Sequence, residues 1–502
     1  MINFPFKNSI LSTLIKQRIK KINRVKENPL ESQKKVLQTL INKGKKTVFG
    51  IEHKFDKIDN YENFKNHVPS RKYEELYPYI EQIRQGYENI LWPGKTKMFA
   101  KSSGTTNAKS KFIPLTNNTL YNCHFKGGKD MIAIYLCNNP ESKVFNGKGI
   151  MLAGSKEYNS NTSEGDLSAL LLEKFPFWVN SHRIPDMQTA LMKDWKEKMN
   201  NITNQSIKKN ITNLTGVPSW MLFLLKNIIK KTGANNISEV WPNLELYFHG
   251  GINFIPYKKQ FNSLIPSLKM NYLEIYNASE GFFAIQDRKN ANDMLLMLDY
   301  EIFYEFITRK NFVKENKEYI KIDDVKTNVD YVMIISTSSG LWRYQIGDII
   351  QFTSTNPHRI IIKGRTKNCI NVFGEELMIH NSDQAIYEAS IETNAKIVEY
   401  TIAPIFMNQS SGAHEWAIEF EKPPNEKNKF IEILDKKLKS INSDYDAKRS
   451  NNLIIDVPQI YEVNKGVFLK WLENKNKLGG QNKIQRLSET RIFIEEIKKL
   501  NS

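Results

Sequence analysis

The sequence predicts an α/β fold: a large N-terminal α/β domain with β-sheets and a β-subdomain, followed by a small, mobile α+β domain. Three observations carry this. Short apolar runs that end in glycine, "KGIMLAG" and "LELYFHGG", lie between segments with helical spacing of apolar residues. From "YVMIISTSSGLWRYQIGDIIQF" to "HRIIIKGRT" the pattern changes to closely spaced β-rich runs with turns. After Gly364-Arg365-Thr366 a second composition begins, alternating strand-like and helical runs. At 502 residues the chain exceeds one ordinary core, so two or more domains are expected.

Residues 9 to 48 place Ile10, Leu11, Leu14 and Ile15, then Val36, Leu37, Leu40 and Ile41, at helical spacing, which predicts two amphipathic helices. From "TKMFAKSSGTT" the order is strand, small-residue turn, strand "KFIPLT", then a helix from about Asn118 to Leu136. The late part reads as strands "KIVEYTIAPIFM" and "HEWAIEF", helix "NEKNKFIEILDKKLKSI", strand "NLIIDVPQIYEV" and helix "GVFLKWLENK". The length of this part fits a small domain. The hinge is placed near residues 366 to 380, dividing the chain into domains 1–370 and 371–502. No internal repeat is visible.

Hydrophobic residues make up 40% and charged residues 25%, values of a globular chain rather than a disordered one. The net charge of +18 raises nucleic acid as a partner. The lysines, however, are scattered among asparagines and no helix-turn-helix, zinc-finger or RNP-type pattern accompanies them, so no specific nucleic-acid partner is expected. Cys123, Cys137 and Cys369 are odd in number and lack a metal-binding spacing, which reads as free thiols in a reduced, cytoplasmic setting. No run approaches the ~18 to 20 apolar residues needed to span a bilayer. "WMLFLLKNIIKK" comes nearest and breaks at Lys226, so no transmembrane segment is predicted. The N-terminus has its basic residues after its apolar part and does not read as a secretory signal.

The stretch "KSSGTTNAKSKFIPLT" packs Ser102, Ser103, Gly104, Thr105 and Thr106 between two strand-like runs. Such a turn presents many backbone N–H groups with little bulk, which suits a polyanion. It is neither a Walker A loop nor a G-x-G-x-x-G turn. In "IYNASEGFFAIQ", Glu280 beside Ser279 and Gly281 can ligate Mg²⁺, an ion that needs only one or two carboxylates besides phosphates; a helix N-cap at Ser279 is the alternative. In "GLWRYQIGDII", Asp348 can accept both hydroxyls of a ribose, or it is the acid of a Gly-Asp turn. "FHGGINFIPY" supplies Gly250-Gly251, where a flat ring can approach the backbone.

The order "SSGTTNAKSK", "HGG", "YNASEG", "RYQIGD", "GRTKNCINVFGEEL" resembles the acyl-adenylate-forming superfamily, and specifically its branch of GH3 acyl-acid amido synthetases, over about residues 30 to 490. The resemblance implies an acyl-adenylate-forming enzyme fold and an ATP- and Mg²⁺-dependent ligase. Such an enzyme adenylates a carboxylic acid and transfers the acyl group to an amino acid, with release of pyrophosphate and AMP. It also implies roles for particular residues. Ser102 to Thr106 are similar to the phosphate loop and Gly250-Gly251 to the wall beside the adenine. Tyr276, Asn277, Ala278 and Ser279 look like the nucleotide-binding second motif, with Glu280 at the metal. Asp348 looks like the ribose acid and Arg365 like the basic residue at the hinge. Lys483, in "KLGGQNKIQRL", is similar to the lysine that reaches the reacting carboxylate when the small domain closes. The helix after the loop implies an acyl pocket, with Tyr121, His124 and Lys126 as candidates for the acid end. Two departures stand out: Asn107 occupies a usual glycine position, and the loop lysine is displaced to Lys109 or Lys111. No lysine stands near Gln384, which leaves Lys483 as the main basic candidate. His124, His182 and His249 are the candidate bases for the amine. An acid:CoA ligase and a non-catalytic nucleotide-binding relative are the rival readings.

Overall fold

The computed structural model describes residues 7–102, 111–158, 162–192, 194–251, 254–366, 369–370, 373, 375, 377–408, 411–442, 445–446, 449, 455–477, 483–488 and 490–502. The first two helices are Lys7–Glu27 and Pro29–Gly44, separated at Asn28 because Pro29 pre-sets a new first turn. The second buries Val36, Leu37, Leu40 and Ile41. Its buried Gln33 donates to the carbonyls of Leu298 and Ile302 and accepts from the Tyr304 amide, which ties the N-terminal helices to the sheet beneath them.

Two sheets form the large domain. The smaller runs in the order Lys111–Pro114, Met98–Ser102, Ser163–Gly165, Lys156–Tyr158. The larger has eleven strands among the described residues. One half is parallel, in spatial order Arg183–Ile184, Lys148–Met151, Ile211–Gly216, Leu246–Gly250 and Asn271–Ala278. The other half is antiparallel: Gly281–Ile285, Met294–Leu296, His358–Arg365, Tyr344–Thr355, Asp330–Thr337 and Ile302–Thr308. The β-rich stretch thus continues the main sheet, joined to it by the pairing of Met294 with Ile360.

The apolar run near residue 225 forms the helix Pro218–Thr232, whose Met221, Leu224, Leu225 and Ile228 pack on Ile211, Leu214 and Tyr247. Lys226 escapes that face to donate to Glu421 and Gln260. Among the described residues no helix is long and apolar enough to cross a membrane. The C-terminal module has a sheet in the order Lys396–Asn408, Ser411–Lys422, Gln459–Val463, flanked by helices Ile379–Glu392, Lys427–Ile441, Val467–Asn474 and Ile492–Asn501. Its third strand starts at Gln459, after Pro458, which has no N–H for the ladder, and ahead of that proline Ile455 bridges Gly412. The first and last of these helices were not anticipated from sequence, although Phe493, Ile494 and Ile497 hold a buried face at helical spacing.

A buried ion pair lies where the antiparallel half meets the helix Tyr61–His67, whose Tyr61 hydroxyl donates to Glu305. Arg343 and Glu305 are 2% and 1% exposed, and the guanidinium also donates to the carbonyls of Lys65 and Val68. Glu305→Ala leaves that cation buried without its counter-charge, at a cost of about 3–5 kcal/mol. The expected result is a large fall in the urea midpoint of unfolding; an unchanged midpoint contradicts it.

Candidate active site

Each element of the site is placed by a local backbone rule. Strands Asn271–Ala278 and Gly281–Ile285 pair with Ala278 opposite Gly281, so Ser279-Glu280 form a tight two-residue turn. Ser279 is therefore a hairpin residue and caps no helix. A Cβ at Gly281 would lie 2.6 Å from Ile302 Cδ1, so a larger residue there would push that methyl aside. The turn leaves the Glu280 carboxyl buried, at 5% exposure.

Asp348 lies within the strand Tyr344–Thr355, directly opposite Arg365, and is not a turn residue. Arg365 Nε is 2.7 Å from Asp348 Oδ1, and the buried Tyr276 hydroxyl donates to the other carboxylate oxygen. The Asp348 charge is the main cause of a raised Arg365 pKa. Burial, reinforced by Asp348, holds the Tyr276 phenol well above its ordinary value. Glu280 joins the same cluster. Its pKa is raised by burial, with Lys111 and Arg365 opposing and Asp348 adding to the rise.

Ser102 pairs with Lys111 where the two strands flanking the small-residue turn meet. Lys111 is thereby brought beside Glu280, and its ammonium lies 3.1 Å from the Tyr344 hydroxyl. Ser103, Gly104, Thr105 and Thr106, with Asn107 and Lys109, lie outside the described residues, as does the Ser102 side chain. Tyr344 went unrecognised in the sequence, yet its even spacing from Asp348 along one strand is a legible signal.

Across the cleft, Gly250 ends its strand against Ile275, whose carbonyl would stand 2.3 Å from a Cβ at Gly250. Gly251 follows with φ +83°, a conformation that favours glycine. The Lys483 ammonium donates to the Gly251 carbonyl. As a residue Lys483 is exposed, but loss of hydration around its ammonium, with the nearby Arg365 charge, lowers its pKa to about 8, while Asp348 acts in the opposite sense. Tyr276, Glu280, Asp348, Arg365, Gly251 and Lys483 thus share one cleft, and Lys483 is the member supplied by the C-terminal part of the chain.

The residues expected at the acid end divide. His124 is buried and its Nδ1 lies 3.1 Å from Asn277 Oδ1, next to Tyr276; burial lowers its pKa to about 4, and its Nε2 has no partner among the described residues. Tyr121 is 55% exposed and stands edge-on to Phe125. Lys126 is not brought to the cluster: Asp299 holds its ammonium through a carboxylate oxygen at 2.6 Å and the backbone carbonyl at 2.7 Å. Of the other histidines, His249 is stacked on Phe254 and burial lowers its pKa to about 3, while His182 is exposed and bonded to Ser181. Burial pushes the Cys123 thiol up to about 12, so it is no nucleophile near neutral pH.

The GH3 family N-terminal domain matches residues 18–270, the GH3 family central domain residues 295–365, and the GH3 family C-terminal domain residues 380–492. The chain belongs to the GH3 family. Among curated relatives of this GH3 chain, the indole-3-acetic acid-amido synthetase GH3.4 of Arabidopsis thaliana is 23% identical over 460 residues, covering 76% of this chain and 75% of that protein. The 4-substituted benzoates-glutamate ligase GH3.12 of Arabidopsis thaliana is 22% identical over 412 residues, covering 66% and 68%. Among solved structures, GH3.15 acyl acid amido synthetase superposes with a TM-score of 0.79 at 15% identity, over 99% of this chain and 97% of that one. A 2-hydroxyisobutyryl-CoA ligase in its postadenylation state follows at 0.59 and 12% identity, over 93% and 91%. The fold expected from the motif order is therefore the fold of this GH3 chain.

Proposed function

We propose that this GH3 protein uses ATP to convert a carboxylic acid to its acyl-adenylate and then passes the acyl group to an amino acid. The observation that carries the reading is the meeting of Lys483 with Tyr276, Glu280, Asp348 and Arg365 at the Gly250-Gly251 wall. Two acids, two cations and a flat backbone surface are what a nucleotide about to meet a second anion requires.

Asp348, held on one side by Tyr276 and on the other by Arg365, keeps free lone pairs for the ribose hydroxyls. The family motif assigns Ser102–Thr106 to the phosphates, with Lys111 as the accompanying lysine, and Tyr276 to the base beside Gly250-Gly251. Glu280 is the carboxylate to hold Mg²⁺. Among the described residues no group of three or more His, Cys, Asp or Glu gathers for a metal, which fits an ion carried mainly by phosphates and water. When bound, Mg²⁺ neutralises phosphate charge. In the first step an oxygen of the acid attacks the α-phosphorus and the bond to pyrophosphate breaks. Lys483 offsets the repulsion between the two anions. In the second, the amine nitrogen attacks the acyl carbon, the carbon–oxygen bond breaks, and AMP leaves with the electron pair while the amine's proton passes to solvent. Residues 371–502 act as the lid that shuts water from the mixed anhydride. Free cysteines support a reduced, cytoplasmic setting for the enzyme.

The test is pyrophosphate release by the purified protein across a panel of carboxylic acids, with amino acids or with CoA as acceptor. Amino-acid-dependent turnover is expected; turnover sustained by CoA alone overturns the amide assignment. The charged form of Lys483 is required and is lost as pH rises through about 8, so kcat/KM for ATP is expected to fall above that pH. A pH profile flat to pH 10 contradicts that role for Lys483.

A further inference from the structure

The segment that carries Lys483 is stitched to the C-terminal module. The Thr401 hydroxyl donates to the Gln485 carbonyl at 2.6 Å, the Ile402 amide to Arg486 O at 2.8 Å, and the Ser488 amide to Ile402 O at 3.0 Å. Leu487, 1% exposed, is pinned in that module's core. Three residues after Lys483, Arg486 is already neutralised within its own module. It is ion-paired with Glu399, its guanidinium lies 4.2 Å from the centre of the Tyr400 ring, and Asp383 adds to the same field. Yet Arg486 Nη2 also donates, at 2.6 Å, to the hydroxyl of Tyr257, on the helix Ile255–Leu264 of the large domain. The Tyr257 ring is 3% exposed among the residues packed around Phe261 and Tyr247, so its hydroxyl is a fixed point. One turn along the same helix Gln260 donates to the Ile397 carbonyl, and Lys226 pairs with Glu421, so the latch is the polar contact of this junction that lies nearest to Lys483 in the chain.

We propose that Tyr257 and Arg486 form a docking latch, a pair of positioning residues that sets where Lys483 enters the cleft. The inference rests on the proposed adenylating role of Lys483. Three residues span at most about 10 Å, so the position of Arg486 limits where the Lys483 ammonium can reach, with the buried Ile484 between them as a second anchor. Arg486, held by Glu399 and Tyr400, is pre-oriented before contact. The Tyr257 hydroxyl selects the docked arrangement without adding a charge to the large domain.

The experiment compares the full-length protein with its Tyr257→Phe and Arg486→Lys variants. Tyr257→Phe keeps the buried ring and removes only the acceptor, so the urea midpoint is expected to be unchanged. The first readout is the rate at which an amine-reactive reagent modifies Lys483, followed by peptide mass spectrometry and normalised to the exposed Lys269. A rise of about tenfold in both variants is expected, the scale of one hydrogen bond to a charged group. The second is acid-dependent ATP–pyrophosphate exchange, which should fall by a similar factor with the KM for ATP held. An unchanged Lys483 modification rate in Tyr257→Phe overturns the latch. If the wild type shows no exchange with any acid while the modification rate still rises, the latch stands and the adenylation reading is what fails.

Discussion

Lys483→Ala is expected to lower acid-dependent ATP–pyrophosphate exchange by about 100- to 1000-fold, the loss seen when one preorganised donor to a developing anion is removed. Nucleotide binding should persist. Lys483 reaches the cleft from the C-terminal segment and touches the backbone of Gly251, whereas Tyr276, Asp348 and Arg365 form their hydrogen-bonded set without it. In the proposed reaction the first step brings two anions together, so a cation supplied by the C-terminal segment would stabilise the transition state more than it stabilises bound ATP. Calorimetric titration with Mg·ATP, run beside the exchange assay, separates the two effects. A variant that turns over at the wild-type rate removes Lys483 from the mechanism, and one that loses ATP binding altogether makes it a ground-state contact.

Asp348→Ala is expected to weaken ATP binding by about two orders of magnitude, since hydrogen bonds to a charged group contribute about 1.5–3 kcal/mol each and two ribose hydroxyls lose their acceptor. The same change releases the Tyr276 phenol and the Arg365 guanidinium from their shared partner. The Arg365 side chain is 41% exposed and can be rehydrated, whereas the buried Tyr276 hydroxyl loses its acceptor, so a cost in stability of about 1–3 kcal/mol is expected. Asp348→Asn keeps the shape and one acceptor while removing the charge, and its affinity should fall between those of the wild type and Asp348→Ala. Equal affinity in all three proteins, measured by titration, rules out Asp348 as a nucleotide contact.

Much of this was legible because it is local. Helical spacing marks the first two helices, and glycine-terminated apolar runs mark the parallel strands that end beside the cleft. The motif order picks out Tyr276, Glu280, Asp348, Arg365 and Lys483, and these residues do meet. The histidine and the lysine of the proposed acid end were harder to read. His124 lies against Asn277, but nothing near Lys126 in the chain reveals that Asp299 holds its ammonium. A helix N-cap at Ser279 is the alternative the sequence leaves beside metal ligation at Glu280, and only the pairing of Ala278 with Gly281 removes the cap.

Short-range pattern and residue chemistry were enough to name the fold class, several of its elements in order, and candidates for a nucleotide site. Folding alone joined the β-rich stretch to the main sheet, set Arg365 opposite Asp348, put Lys111 beside Glu280, and docked Arg486 on Tyr257. Those contacts join residues up to 229 positions apart. Periodicity reports which face of an element is apolar; it carries no record of which distant backbone or charge that face will meet.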